Sequence, residues 1–188
     1  LVVIIPIALV CSYMSVPLIS YYYDDPEMAV KWYPYYTEAK LSMLSTTSSV
    51  SKAKRLADGI LAQNDTCALA WYAKAMTAYI DDDYKSVIVY QKKAIERDYF
   101  NYDYYLEYAY MLNDGLEYCE DIIDVDKGER AEEYSDMRRQ IDKELDTIPD
   151  YLEAAKKKVS KMGSMIDDKV SLDIDDELES ILKKDEQY

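Results

Sequence analysis

Among the side chains that could do chemistry in this 188-residue chain, histidine is absent, which leaves carboxylates, tyrosines and three cysteines. Without imidazole there is no ordinary general base near neutral pH, no His-containing metal site and no triad that depends on one. Cys11, Cys67 and Cys119 are far apart, odd in number and form no Cys-x-x-Cys pair. They are too few for a disulfide scaffold or a Cys-only zinc site. They read as small apolar packing residues, with a Cys67–Cys119 bridge as the alternative in an oxidising compartment.

Two acidic runs, Asp121, Asp124, Asp126 and Asp173, Asp175, Glu177, space their carboxylates as a cation site could. Neither has the glycine and distal glutamate of an EF-hand loop, so both read as solvated faces. Asp81, Asp82 and Asp83 are consecutive and point different ways at a helix end, with no base or nucleophile near them in sequence. Tyrosine is abundant, but with a pKa near 10 it fills core or surface unless a neighbour lowers it. Four glycines are too few for a phosphate-cradling loop. Asn64-Asp65-Thr66 has the form of a glycosylation sequon, with meaning only in a secretory lumen. These residues predict no catalytic group, no cofactor and no metal; the chain is expected to be a non-enzyme. Lys plus Arg is 22 against 37 Asp plus Glu, a net charge of −15, which argues against nucleic acid as a partner.

The elements that would position these residues begin with an apolar segment. Residues 1–20, LVVIIPIALVCSYMSVPLIS, carry no charge, and about 20 residues at ~1.5 Å rise cross a ~30 Å hydrocarbon core. Pro6 and Pro17 lie near its ends, and Tyr21, Tyr22 and Tyr23 stand where an interfacial aromatic belt would lie. We therefore expect residues 1–23 to be a retained single-pass membrane anchor. Three alternatives compete. A cleaved signal lacks an A-x-A-like site before Tyr23. A lipoprotein signal at Cys11 would have Val10 in the place of a small residue. The third is a buried globular helix. The chain opens on Leu1, which leads us to expect a short leader before it. The flank YYYDDPE has no Lys or Arg before Lys31, which puts the body on the non-cytoplasmic side by the positive-inside rule.

From Pro26 onward apolar residues recur at helical spacing. The pattern predicts helices over 34–45, with Pro34 as its first residue, 50–63, 67–80, 84–98, 102–112 and 116–125. Asn64-Asp65-Thr66, Asp81–Asp83 and Asn113-Asp114-Gly115 are the expected turns. Short connections make antiparallel hairpins. A shift of 34 residues, a period known for helical repeats, lays Trp71 on Tyr105, Ala75 on Ala109, Tyr84 on Tyr118 and Ala53 on Val87.

The stretch AWYAKAMTAYIDDDYKSVIVYQKKAIERD (70–98) resembles a tetratricopeptide repeat. Trp71 matches the family's first large aromatic, Ala75 its small residue, Tyr84 the aromatic opening the second helix, and Ala94 the late small residue. Lys74, Ala78, Gln91 and Tyr99 depart from the pattern, and the flanking stretches 34–66 and 102–128 match more weakly. The resemblance implies an all-α fold: helix hairpins over 24–128 stacked as a short solenoid behind the transmembrane helix. It also implies a partner-binding groove. On the best unit the groove positions fall on Leu69, Tyr72, Met76, Tyr79 and Ile80; on the next, on Asp103, Leu106, Tyr110, Asn113 and Asp114. Aromatic, Met and carboxylate side chains suit another protein's basic peptide segment or helix.

Residues 129–188 have a different pattern. Tyr134, Met137, Ile141, Leu145 and Ile148 make one stripe on a helix over 129–147. Pro149 is expected to reset the chain before a second stripe of Leu152, Ala155, Val159 and Met162, ending at Gly163. Asp173 would cap a last helix carrying Ile174, Leu178, Ile181 and Leu182, and the final KKDEQY would fray. These helices are expected to cap the solenoid, with a partner-binding coiled coil as the alternative. The functional expectation is a membrane-anchored interaction scaffold. A structural accessory subunit of a membrane complex and an extracytoplasmic ligand-binding protein are the alternatives.

Overall fold

The computed structural model describes residues 4–126, 128–161 and 168–182, and all of their regular structure is helical. The chain divides into two compact units, residues 1–73 and 74–188, with the division inside one helix.

In the first unit, α1 (Ile4–Tyr22) is followed by α2 (Pro26–Trp32), α3 (Thr37–Thr46) and α4 (Val50–Leu61), each packed on the next. Asp25 caps α2, its carboxylate accepting from the Met28 N–H at 2.9 Å, and Pro26 fills the first turn, where no N–H is needed. The sequence reading gave that role to Pro34. Pro34 lies instead in the turn before α3, where the Tyr36 N–H donates to the Tyr33 carbonyl at 3.0 Å. Ser49 caps α4. Leu44, Ala57, Ile60 and Ala70 form this unit's core, with Leu41, Ala53, Leu56, Leu61, Cys67 and Ala73 around it. Ala70 lies on α5 (Ala68–Ile80), the helix that carries the chain into the second unit.

The second unit is built round α7. Asp83 caps α6 (Tyr84–Arg97) through the Ser86 N–H. After it, α7 runs unbroken over Asp103–Val125, α8 over Glu129–Lys161 and α9 over Asp168–Leu182. Two breaks and one helix start expected from the sequence are therefore not made. Asn113-Asp114-Gly115 is helix, so 102–125 is one helix and not a second hairpin. A mid-helix glycine costs only about 1 kcal/mol, and the continuous stripe of Leu112, Leu116 and Cys119 is buried by staying helical. Gly115 has a packing reason as well. A β-carbon there would lie 2.7 and 2.8 Å from ring carbons of Tyr84 and 3.1 Å from Ile141 Cδ1.

Likewise, α8 continues through Pro149. The proline forfeits one hydrogen bond at roughly 3 kcal/mol, while Ile141, Leu145, Ile148, Leu152 and Ala155 stay buried as one stripe. The last helix starts at Asp168, ahead of Asp173, because no breaker lies between them. Met162, Gly163 and the terminal KKDEQY lie outside the described residues.

Side-chain pairs fix the register. α6 and α7 are antiparallel, with Tyr84 beside Tyr118 at 5.7 Å and Gln91 Nε2 donating to the Tyr104 carbonyl at 2.7 Å. α7 and α8 are antiparallel, with Tyr118 beside Tyr134 at 5.8 Å and, further back along α7, Tyr108 bonded to Glu144 further on along α8. From α6, the half-buried Lys92 Nζ holds both Glu144 carboxylate oxygens of α8 at 3.1 Å, and the Tyr108 hydroxyl of α7 donates to Oε2 at 3.2 Å. All three cysteines are free thiols, so no Cys67–Cys119 bridge is made; Cys119 is buried in α7, and burial pushes its thiol up to about 11.

Candidate partner-binding face

The ten groove positions divide between the units. Leu69 and Tyr72 belong to the first, Leu69 exposed and Tyr72 half-buried. In the second, Met76 is half-buried and Ile80 is 55% exposed at the end of α5. Tyr79 donates its hydroxyl to the Asp114 carboxylate of α7, a pairing that joins two of the positions read from sequence. That bond, with burial and the charges of Asp82 and Glu107, pushes the Tyr79 phenol up to about 12. Asp103 is exposed at the start of α7.

Of the remaining three positions, Tyr110, 41% exposed, and Asn113 bond to α9, which packs on α7, and Leu106 lies about one turn before Tyr110 on the same helix. Leu106 is buried, so it is not the open groove residue that the sequence suggested. The Tyr110 hydroxyl donates to Glu177 Oε1 at 3.3 Å, and Asn113 Nδ2 donates to the Ile181 carbonyl at 2.9 Å. Burial and the Glu177 carboxylate raise the Tyr110 phenol above its usual range. Tyr110 meeting Glu177 and Asn113 meeting Ile181 make the two helices parallel. α9 buries Ile174, Leu178 and Ile181, residues one face shares at steps of four and three. Lys156 of α8 closes the edge of this seat by pairing with Asp175.

The contact is not fully satisfied. Among the described residues Asn113 Oδ1 is buried with no hydrogen-bond partner, and a buried acceptor left so costs about 1–3 kcal/mol. Chemically, the face offers an apolar strip, a phenol, an amide and a lysine, which suits an amphipathic helix with carboxylates along one edge. The sequence reading found the apolar stripe of α9 but not its seat. Lys156, Glu177 and the Ile181 carbonyl gave no periodic signal to mark them.

No protein-family model, curated protein or solved structure matches this chain.

Proposed function

We propose that this chain is a membrane-anchored, non-enzymatic scaffold whose α7 face receives an amphipathic helix from another protein. The observation that carries the reading is α9 itself, a helix bonded to Tyr110 and Asn113. Two of the positions that the tetratricopeptide resemblance marks as a groove thus meet a helix. Helix-in-groove recognition needs anchors at such spacing and little else. The grip is also modest. Three buried aliphatic side chains stabilise α9 by roughly 5–8 kcal/mol before ordering is counted, and an isolated helix of that length is marginal in water. A competing helix with the same three anchors and a better partner for Asn113 can replace it.

α1 supports the location. It is long and apolar enough to cross a bilayer, and its side chains are largely exposed. The expected basic peptide gives way here to a helix that resembles α9, because Lys156 and the Tyr110 hydroxyl both select carboxylates. The non-cytoplasmic placement of the body and its short solenoid organisation belong to the same proposal, resting on the acidic flank after Tyr23 and the unit at 70–98.

The test uses the full chain with Leu178→Asp and Ile181→Asp, which unseats α9. A fluorescent peptide of residues 168–182 should then bind saturably, and Tyr110→Ala should weaken that binding at least tenfold. Absence of binding by a chain whose circular dichroism remains helical overturns the reading.

A further inference from the structure

The first unit sets where a bilayer can meet the chain. α2 does not leave α1 at the tyrosine cluster; it folds back along it. The Tyr13 hydroxyl donates to the Trp32 carbonyl at 2.9 Å, and the two rings meet edge-on at 6.2 Å. Pro17 of α1 and Ala29 of α2 are both fully buried, as the packing of these two helices requires. Tyr36 then stands beside Tyr21 at 5.3 Å, so the chain has returned to the hairpin's tip before α3 begins.

This geometry conflicts with a bilayer boundary at Tyr21–Tyr23. Tyr13 lies nine residues below Tyr22, about 13 Å along the helix at ~1.5 Å per residue. A boundary at the tyrosine cluster would carry Trp32 to nearly the middle of a ~30 Å hydrocarbon core. The exposed Lys31 and the carbonyl end of α2 would go with it. Lipid supplies no partner for either the ammonium or free backbone carbonyls. Ile5, Ile7, Leu9 and Val10 are exposed on α1 before the Tyr13–Trp32 contact, and Met14, Leu18 and Ile19 are exposed after it.

We propose that the bilayer boundary crosses α1 at Tyr13, with Trp32 at the level where the headgroups meet the acyl chains. The inference rests on the reading of α1 as a membrane anchor. Residues 5–12, about 12 Å of helix at ~1.5 Å per residue, then face hydrocarbon, so the described part of α1 enters the ~30 Å core without crossing it. Residues 14–22 with α2 form a helical hairpin in and above the headgroup layer. Tyr13 and Trp32 fill the amphipathic role that such a level favours, an apolar ring with a polar handle. Leu18 and Ile19, exposed about 8 Å further along α1 by the same rise, fall within the headgroup zone and not beyond it.

The experiment places the full chain carrying Trp71→Phe in phosphatidylcholine vesicles, leaving Trp32 as the sole tryptophan. Lipids brominated at shallow, middle and deep acyl positions then report its depth. The expected result is a blue-shifted emission quenched most by the shallow bromines. Strongest quenching by the deepest bromines overturns the boundary while leaving the anchor intact. Failure of the chain to float with the vesicles overturns the anchor, and the boundary with it. Leu18→Cys provides a second readout. A charged maleimide should label it on intact vesicles while Cys11 stays protected until detergent is added; protection of both overturns the boundary at Tyr13.

Discussion

Replacing Gly115 with alanine should destabilise the second unit, although alanine is the better helix former. The gain from propensity is about 1 kcal/mol. Against it stand ring carbons of Tyr84 at 2.7 and 2.8 Å and Ile141 Cδ1 at 3.1 Å from the new methyl. Tyr84 is 4% exposed and Ile141 fully buried, so neither can swing into solvent. Overpacking of this kind costs about 1–3 kcal/mol, which leaves a net loss of roughly 1 kcal/mol. For a unit of this size that corresponds to a melting temperature lower by roughly 4 °C. The assay is urea unfolding of the full chain in mild detergent, followed by circular dichroism. The decisive comparison repeats Gly115→Ala in a Tyr84→Ala background, where the space is open and the propensity gain should return. The sign should reverse, a coupling of roughly 2 kcal/mol. If the two changes are additive within about 0.5 kcal/mol, Gly115 is not between α6 and α8, and the continuous α7 is wrong. A turn at 113–115 would give that additive result.

Two more outcomes follow from the buried polar groups. Tyr79 and Tyr105 both have phenols pushed up to about 12, the first by its bond to Asp114 and the second by burial, and Tyr84 and Tyr108 are raised further by burial. A raised folded-state pKa favours the protonated form, so this stability is full below pH ~10 and lost as pH rises from there through 12; an ultraviolet tyrosinate titration should show these phenols ionising together with loss of helix. Lys92→Met strands the Glu144 carboxylate, whose side chain is 14% exposed, and should cost roughly 2 kcal/mol in the same urea assay after discounting for partial exposure. Adding Glu144→Gln should recover most of that loss.

The legible parts of the fold were those set by local chemistry. The helix starts expected at 50 and 84 are where α4 and α6 begin, and the structure shows Ser49 and Asp83 as their caps. The stripes of α8 and α9 were legible for the same reason, since periodicity is local. Two expected breaks failed because distant packing outweighed a local signal, Gly115 under Tyr84 and Ile141 and Pro149 within one long stripe, and Asp173 fell inside a longer helix because no breaker precedes it. Of the groove, Tyr79 and Asp114 could be named but not paired, because their contact is 35 residues apart in sequence. The contact of Tyr110 and Asn113 with α9 was beyond sequence reasoning. A stripe says that a helix must be covered and not by what.

The central claim is that the α7 face holds a helix and exchanges it for a partner's. A photo-reactive benzoylphenylalanine in place of Tyr110, in the full chain expressed in cells, tests it most directly. The account predicts an intrachain adduct to residues 174–181, together with an adduct to an amphipathic helix of a second protein. The second adduct should increase when Leu178→Asp and Ile181→Asp release α9. Only intrachain adducts, or a second-protein adduct indifferent to the release of α9, would contradict it.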